Sequence, residues 1–385
     1  MSDRDFLRWP FFTPAHAELV NTVEDWCKAN LGEADHAGDH FERAPHLVQQ
    51  LGRSGILKYA VISPYGGNAD RLDIRSICLI RETLARFDGL ADFAFAMQGL
   101  GSAPVSLFGS ADQKERYLPH IAMGSTIGAF ALSEALAGSD VGSIATAARL
   151  RGDKYILDGE KTWISNAGLA GFYVVFARTA DSGAKGLSAF VVEPTFKGFH
   201  LKNKIDCISP HPLGTIQFRN CEVPVSNRLG AEGEGFKIAM STLDYFRSSV
   251  GAAALGFGRR ALDEAVAQVR TRRLFNQSLA DFQMTQAAVA DMALKVDAAA
   301  LLIYRAAWCK DCGGSERITR EAAMAKLYAT EAAQEVIDRA LQLFGGQGVV
   351  SGSILERLYR DIRPLRIYEG TSEIQKIIIA NQVLK

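Results

Sequence analysis

Apolar positions recur at helical spacing at both ends of the chain and alternate at strand spacing in its middle. In the first part, Ile74, Ile77, Ile80 and Leu84 step by three, three and four, which places them on one face of a helix. The segment TPAHAELVNTVEDWCKANL opens with Thr13 at a helix N-cap and Pro14 at the first helical position, where a missing N–H costs nothing. A shorter helix, ADQKERYLPHIAMG, follows the Gly109-Ser110 turn. The texture changes near Gly128. KYILDGEKTWIS reads as two β-prone runs joined at Asp158-Gly159, a hairpin signal. FYVVFAR, LSAFVVEP and TIQFRNCEVP follow, each bounded by Gly, Pro, Asn or Ser, and predict a small antiparallel barrel or sandwich. From Gly235 the helical period returns. One run holds Phe236, Met240, Leu243, Phe246, Val250, Ala254 and Phe257. A second holds Val289, Met292, Val296, Ala299, Ile303 and Ala307, and a third Leu327, Ile337, Leu341 and Phe344. A last helix starts near Thr371. Four such helices predict a bundle.

The predicted fold is α+β and mainly α: an N-terminal helical domain over 1–126, a central antiparallel β-barrel over 127–235 and a C-terminal four-helix bundle over 236–385. Strands and helices do not alternate, so a Rossmann sheet is excluded. The glycines of Gly230-Ala-Glu-Gly233-Glu-Gly235 follow no βαβ strand and read as the exit from the barrel into a helix. Gly345-Gly346-Gln347-Gly348, after a long helical run, would alone be a C-terminal cap.

Composition narrows the function classes. With 385 residues, 48% of them hydrophobic, the chain can build cores that need no disulfide or metal staple. Lys+Arg and Asp+Glu both number 43, so no net field draws the molecule to nucleic acid or an anionic membrane. No apolar run is long enough to span a bilayer. The start, MSDRDFLRWPFF, has neither the apolar stretch of a signal peptide nor an Arg/Ser-rich character, and the expected location is cytoplasmic. Of six cysteines only Cys309 and Cys312 have suggestive spacing, and no second ligand pair accompanies them. His36, His40 and His46 lie in an acidic polar run and read as a solvated surface.

Two segments carry polar detail between apolar runs. In Phe130-Ala-Leu132-Ser133-Glu-Ala-Leu-Ala-Gly138-Ser139-Asp140, hydroxyls and close backbone approach at a strand end suit a polar heterocycle or phosphates. Further on, Trp163 could cover a flat ring while Ser165 bonds its edge; a barrel strand with one core Trp fits equally well. In Ile367-Tyr368-Glu369-Gly370-Thr371, Glu369 stands between apolar residues just before a helix N-cap. Desolvation there would raise its pKa toward a useful base. The alternative is an acid that merely complements a helix dipole.

Five motifs in order bear on these alternatives: Ser133-Glu134-Ala135 leading to Gly138-Ser139-Asp140, Trp163-Ile164-Ser165-Asn166, Arg272-Arg273-Leu274-Phe275-Asn276, Gly345-Gly346-Gln347-Gly348, and Tyr368-Glu369-Gly370-Thr371. In this the chain resembles the acyl-CoA dehydrogenase family over essentially its full length. The resemblance implies FAD as cofactor. Phe130, Leu132, Ser133, Gly138, Ser139, Trp163, Ile164 and Ser165 would hold the flavin ring. Arg272, Phe275 and Gln283 would reach the phosphates and adenosine side, and Gln342, Leu343, Phe344, Gly345 and Gly346 would contact FAD of a neighbouring subunit. Thr371, Ser372 and Glu373 would cap the cofactor. Ser139, Asp244, Tyr245, Phe246, Arg247, Tyr368 and Gly370 would contact substrate, and Glu369 would be the catalytic base. The implied reaction is α,β-dehydrogenation of an acyl-CoA thioester to the 2-enoyl-CoA, with an electron-transfer flavoprotein as acceptor and a homotetrameric assembly.

Three positions depart from the family pattern. Ala135 replaces the usual Pro, Asn276 the usual Gly, and residues 207–213, CISPHPL, replace a Gly-x-Arg stretch. The rival readings are an acyl-CoA oxidase or flavin monooxygenase of the same fold, a decarboxylating variant, and a non-catalytic helical binding protein. Oxidases resembling this chain usually carry an extra C-terminal domain, and the monooxygenase relatives lack the acid found here at Glu369.

Overall fold

Helix α1 (Pro14–Asn30) begins where expected, with the Thr13 N–H donating to His16 Nδ1 at 3.0 Å. The structure, a computed structural model, describes residues 4–32, 39–313 and 317–385. Helix α2 (His40–Arg53) buries Phe41, Ala44, Leu47, Val48 and Leu51, a period the acidic surroundings hide in the sequence. His46 is exposed, as read; His40 is half-buried; His36 lies outside the described residues. Helix α3 (Ile74–Phe87) forms as predicted, yet it is covered nearly all round rather than on one face. It packs on α1 and on α7, so both its sides meet protein. Helices α4 (Gly89–Phe108) and α5 (Ala111–Ala122) follow. At the start of α5, Ser110 and Gln113 cap each other reciprocally, at 3.2 and 2.9 Å.

The strands are β1 (Gly128–Ala131), β2 (Ala147–Arg151), β3 (Lys154–Ser165), β4 (Phe172–Arg178), β5 (Leu187–Val192), β6 (Phe199–Lys204), β7 (Leu213–Pro224) and β8 (Arg228–Leu229). They make one eight-stranded sheet in the order β6-β7-β3-β2-β4-β5-β8, with β1 paired to β4. Two expectations need correction. The sheet does not close into a barrel, and it is not wholly antiparallel, because β1–β4 and β2–β4 pair parallel. Strands β4 and β5 are buried at almost every position and read as continuous apolar runs. The second correction concerns Asp158-Gly159, which is no hairpin turn: β3 runs straight through it with a bulge against β7. Gly159 takes φ +146°, and a Cβ there would meet Thr146 at 2.7 Å. The Asp158 carboxylate accepts the Asn220 N–H at 2.7 Å, fixing the bulge to the neighbouring strand.

The second helical region holds α6 (Gly235–Thr271), a two-stranded ribbon of β9 (Arg273–Leu274) and β10 (Gln277–Ser278), then α7 (Gln283–Cys312), α8 (Thr319–Phe344), α9 (Ile354–Leu365) and α10 (Ser372–Val383). The four-helix expectation is thus one helix short. Helix α9 buries Leu355, Leu358, Ile362 and Leu365, a clear helical period that the glycines before it and Pro364 within it obscured. Gly345, at φ +61°, ends α8 as a C-cap.

The chain divides into two compact units. One comprises Met1–Glu33, Ile74–Asp92 and Asp244–Lys385; the other comprises Ala34–Asp73 and Phe93–Leu243. In the first, α8 packs against α7, α9 and α10, and α3 against α1 and α7. The second is built on the sheet. Among the described residues no helix is long and apolar enough to cross a membrane, and no cluster of His, Cys, Asp and Glu could hold a metal. Cys309 and Cys312 are free thiols at the end of α7.

Candidate active site

In the first unit, Glu369 stands in the turn between α9 and α10 with φ +53°, a left-handed conformation rare outside glycine and worth a functional explanation. The residue is half-buried, but its Oε2 is covered and has no hydrogen-bond partner among the described residues. Burial pushes its pKa above the ordinary carboxylate range; Arg81, Lys326 and Arg247 pull it down, and Asp92 pushes it up. A desolvated carboxylate with an unused oxygen is chemically a base awaiting a proton.

The turn is pinned from below. Lys326, on α8, is fully buried and donates from Nζ to Gly370 O at 2.8 Å. Gln375, on α10, is fully buried too and donates to Gly370 O at 3.0 Å and Glu369 O at 3.2 Å. Gly370 itself sits at φ +93°, and a Cβ there would strike Gln375 Nε2 at 2.5 Å. Arg81, on α3, is 2% exposed and grips Asp92 with two bonds, 2.8 and 2.9 Å, while its third arm reaches Ser249 at 3.0 Å. Its charge also acts on Tyr368; burial nevertheless drives that phenol well above its usual range. Arg247 pairs with Asp244 at 2.8 Å, and Asp244 also accepts from Thr319 at 3.1 Å. Tyr245 is half-buried beneath Lys310, and Phe246 is in the core. Thr371 caps α10, accepting from Ile374 N–H at 3.4 Å; the Ser372 hydroxyl is held by Glu331, and Glu373 is exposed.

Elsewhere in this unit, Phe275 and Asn276 form the two-residue turn between β9 and β10, both with positive φ, 50° and 65°. Asparagine tolerates that region, so the turn forms without the usual glycine. Phe275 is 88% exposed on the strained turn, Arg272 half-exposed beside it and Gln283 exposed at the start of α7. Gln342, Gly345 and Gly346 are exposed, with Leu343 and Phe344 half-buried between them.

The second unit gathers the other segment. Thr162 N–H donates to Ser133 O at 3.0 Å, which joins the end of β1 to β3. Lys161, fully buried on the inward face of β3, donates to Leu132 O at 3.0 Å and to Glu134 at 2.8 Å. Glu134 in turn accepts the Ala145 and Thr146 N–H groups at 2.7 and 2.9 Å. That clamp fixes the loop that Ala135 would otherwise leave without its customary proline. Trp163 sits in a second bulge of β3 at φ +59° and is 59% exposed, so the core-Trp alternative is set aside. Ile164 is buried, Ser133 and Ser165 are half-buried, Leu132 is buried, and Phe130 packs on Phe176 with centroids 5.0 Å apart. Gly138 and Ser139 are exposed, and nothing lies within 4 Å of where a Gly138 Cβ would be. An uncovered indole on a strained bulge, with Thr162 and Ser165 beside it on the strand, fits a flat polar heterocycle such as a flavin. Lys161→Met is expected to cost about 3 kcal/mol by taking the counter-charge from Glu134, whose side chain is 11% exposed; denaturant unfolding against wild type checks it.

Arg81, Asp92, Lys161, Lys326 and Gln375 were not singled out by sequence reasoning. Each is a polar residue on an apolar face, as Lys326 is among buried Ala322, Ala325 and Ala329. That interruption was the available signal.

Known proteins match the chain along nearly its whole length. The chain matches the acyl-CoA dehydrogenase N-terminal domain over residues 13–125, the middle domain over 129–221 and the C-terminal domain over 233–384. It is 38% identical over 381 residues to a 3-(aryl)acrylate reductase of Clostridium sporogenes, covering 97% of this chain and 100% of that protein. A chain in a solved structure concerning the electron transferring flavoprotein of Acidaminococcus fermentans and flavin-based electron bifurcation superposes with a TM-score of 0.92 at 37% identity, covering 97% of this chain and 99% of that one. An acyl-CoA dehydrogenase complexed with FAD from Bacillus anthracis superposes at 0.88 with 31% identity, covering 97% and 67%. By matches that run along nearly its whole length, the chain belongs to the acyl-CoA dehydrogenase family of FAD-dependent oxidoreductases.

Proposed function

We propose that Glu369 is the base of an acyl-CoA α,β-dehydrogenation. The observation that carries this is its covered, unpartnered Oε2 in a turn held by Lys326 and Gln375. The α-proton of a thioester is weakly acidic, and its removal needs a carboxylate held in place and shielded from water. The Glu369 N–H donates to nothing among the described residues and is free to bond a thioester oxygen as negative charge builds there. FAD supplies the hydride acceptor for the β-hydrogen. Phe130, Leu132, Ser133, Trp163 and Ser165 would hold its ring, and Arg272 its phosphates by a charge-assisted bond. The same buried, unpartnered carboxylate argues against a non-catalytic binding protein.

The pH dependence has a definite sign. The base works deprotonated, and burial raises its pKa. Flavin reduction should therefore slow as pH falls through a value above the ordinary carboxylate range. An acid limb at or below that range, in stopped-flow profiles, would contradict the assignment.

Electrons then pass to an electron-transfer flavoprotein, and the assembly is a homotetramer in which Gln342, Gly345 and Gly346 face a neighbouring subunit's cofactor. The exposure of these three residues and of Leu294, Leu301 and Ile377 supports that reading. Turnover should be slow in air alone and fast with the partner flavoprotein or a dye. Peroxide formed at the full turnover rate would move the assignment to an oxidase.

A further inference from the structure

Three cations surround Glu369, and they are not equivalent. The Arg81 guanidinium is met by two oxygens of Asp92, and Arg247 by Asp244. Each brings its own anion into the site, so much of its field at Glu369 is cancelled. Lys326 brings none. Among the described residues no carboxylate oxygen lies within 4.0 Å of its Nζ, and its hydrogen bond goes to a neutral carbonyl, Gly370 O, at 2.8 Å. A fully buried ammonium without a paired carboxylate is costly, and such groups are rare without a purpose.

We infer that Lys326 is a positioning residue for the base: its ammonium both anchors the Glu369-Gly370 turn through the Gly370 carbonyl and supplies a positive charge, held in no ion pair of its own, that favours the ionised Glu369 carboxylate. The two tasks are separable because Gln375 shares the first without the second. Its Nε2 bonds the same carbonyl at 3.0 Å but carries no charge. The charges that act on Glu369 are Arg81 on α3, Asp92 on α4, Arg247 on α6 with its partner Asp244, and Lys326 on α8; Glu331 on α8 and Glu373 on α10 act in turn on Lys326. Burial lowers the Lys326 pKa to about 8, so its influence belongs to the acid and neutral range and fades above it.

The inference rests on the reading of Glu369 as base, and its test keeps the two apart. Wild type, Lys326→Met, Lys326→Arg, Lys326→Gln and Gln375→Leu are prepared as FAD-loaded proteins. The Glu369 carboxyl is titrated by difference infrared spectroscopy, its band identified by loss in Glu369→Gln. This readout needs no turnover. The acid limb of flavin reduction is measured in parallel. In Lys326→Met both titrations should move up by about one pH unit or more, the effect of deleting a nearby opposite charge. Lys326→Arg should restore them. Gln375→Leu should lower the reduction rate with no shift. Lys326→Gln keeps a donor for Gly370 O and should show the same upward shift if the methionine variant fails to fold. An unshifted infrared titration in both neutral variants would overturn the inference, whatever their rates. A shifted infrared titration in a protein whose Glu369→Gln variant still reduces flavin at the wild-type rate would uphold the electrostatic role and overturn the base.

Discussion

Replacing Glu369 by glutamine is expected to slow flavin reduction by acyl-CoA by ~10²–10⁴, the range typical of losing a general base. Glutamine keeps the size and the dipole but cannot take a proton. The turn should survive the change, because Lys326 and Gln375 hold it through the backbone carbonyls of Glu369 and Gly370, not through the carboxylate. FAD content and acyl-CoA binding should therefore stay close to wild type. The loss then falls on the rate and not on affinity, as expected for an interaction made in the transition state. The measurement is anaerobic flavin bleaching in a stopped-flow mixer, with binding followed by the spectral shift of the oxidised flavin. Loss of FAD in the variant would mean that the carboxylate is structural.

The second large effect is expected at Arg81. Its guanidinium bonds both oxygens of Asp92 and the Ser249 hydroxyl, all in one buried cluster. Arg81→Met leaves Asp92, 4% exposed, with a charge and no counter-ion. Breaking a buried pair from one side costs about 3–5 kcal/mol, a large share of a domain's total stability. Arg81→Met combined with Asp92→Leu should recover much of that loss, because both charges are then gone. Denaturant midpoints at constant slope would show it. A single variant as stable as wild type would show that the cluster contributes nothing net to stability.

The helices were legible where their apolar period was clean, as in α6 and α7, or where a cap announced them, as Thr13 does for α1. Helix α9 has as regular a period, but the glycines before it and Pro364 within it mask it in the sequence. The sheet was legible as strands but not as topology. Asp158-Gly159 has the composition of a turn, and only the partner strand decides that it is a bulge. The parallel pairing of β1 depends on contacts distant in sequence, to which periodicity is blind. At the site, Glu369 was visible because an acid between apolar residues stands out, and motif order gave it a role. Lys326, Gln375 and Arg81 act through burial and orientation, and their neighbours in space are far along the chain. Trp163 shows the same limit from the other side: its letters allowed a core residue, whereas its backbone angle and exposure make it a surface one.

The central claim is that this chain uses bound FAD to desaturate an acyl-CoA at the α,β-bond. The direct test mixes the FAD-loaded protein anaerobically with a panel of saturated acyl-CoA thioesters, follows the flavin absorbance, and identifies the product by mass. The account predicts rapid bleaching with at least one thioester, matched by 2-enoyl-CoA formed in equal amount. Flavin that stays oxidised with every saturated thioester, while the reduced protein is reoxidised by unsaturated acids or thioesters, would contradict it and assign a reductase instead.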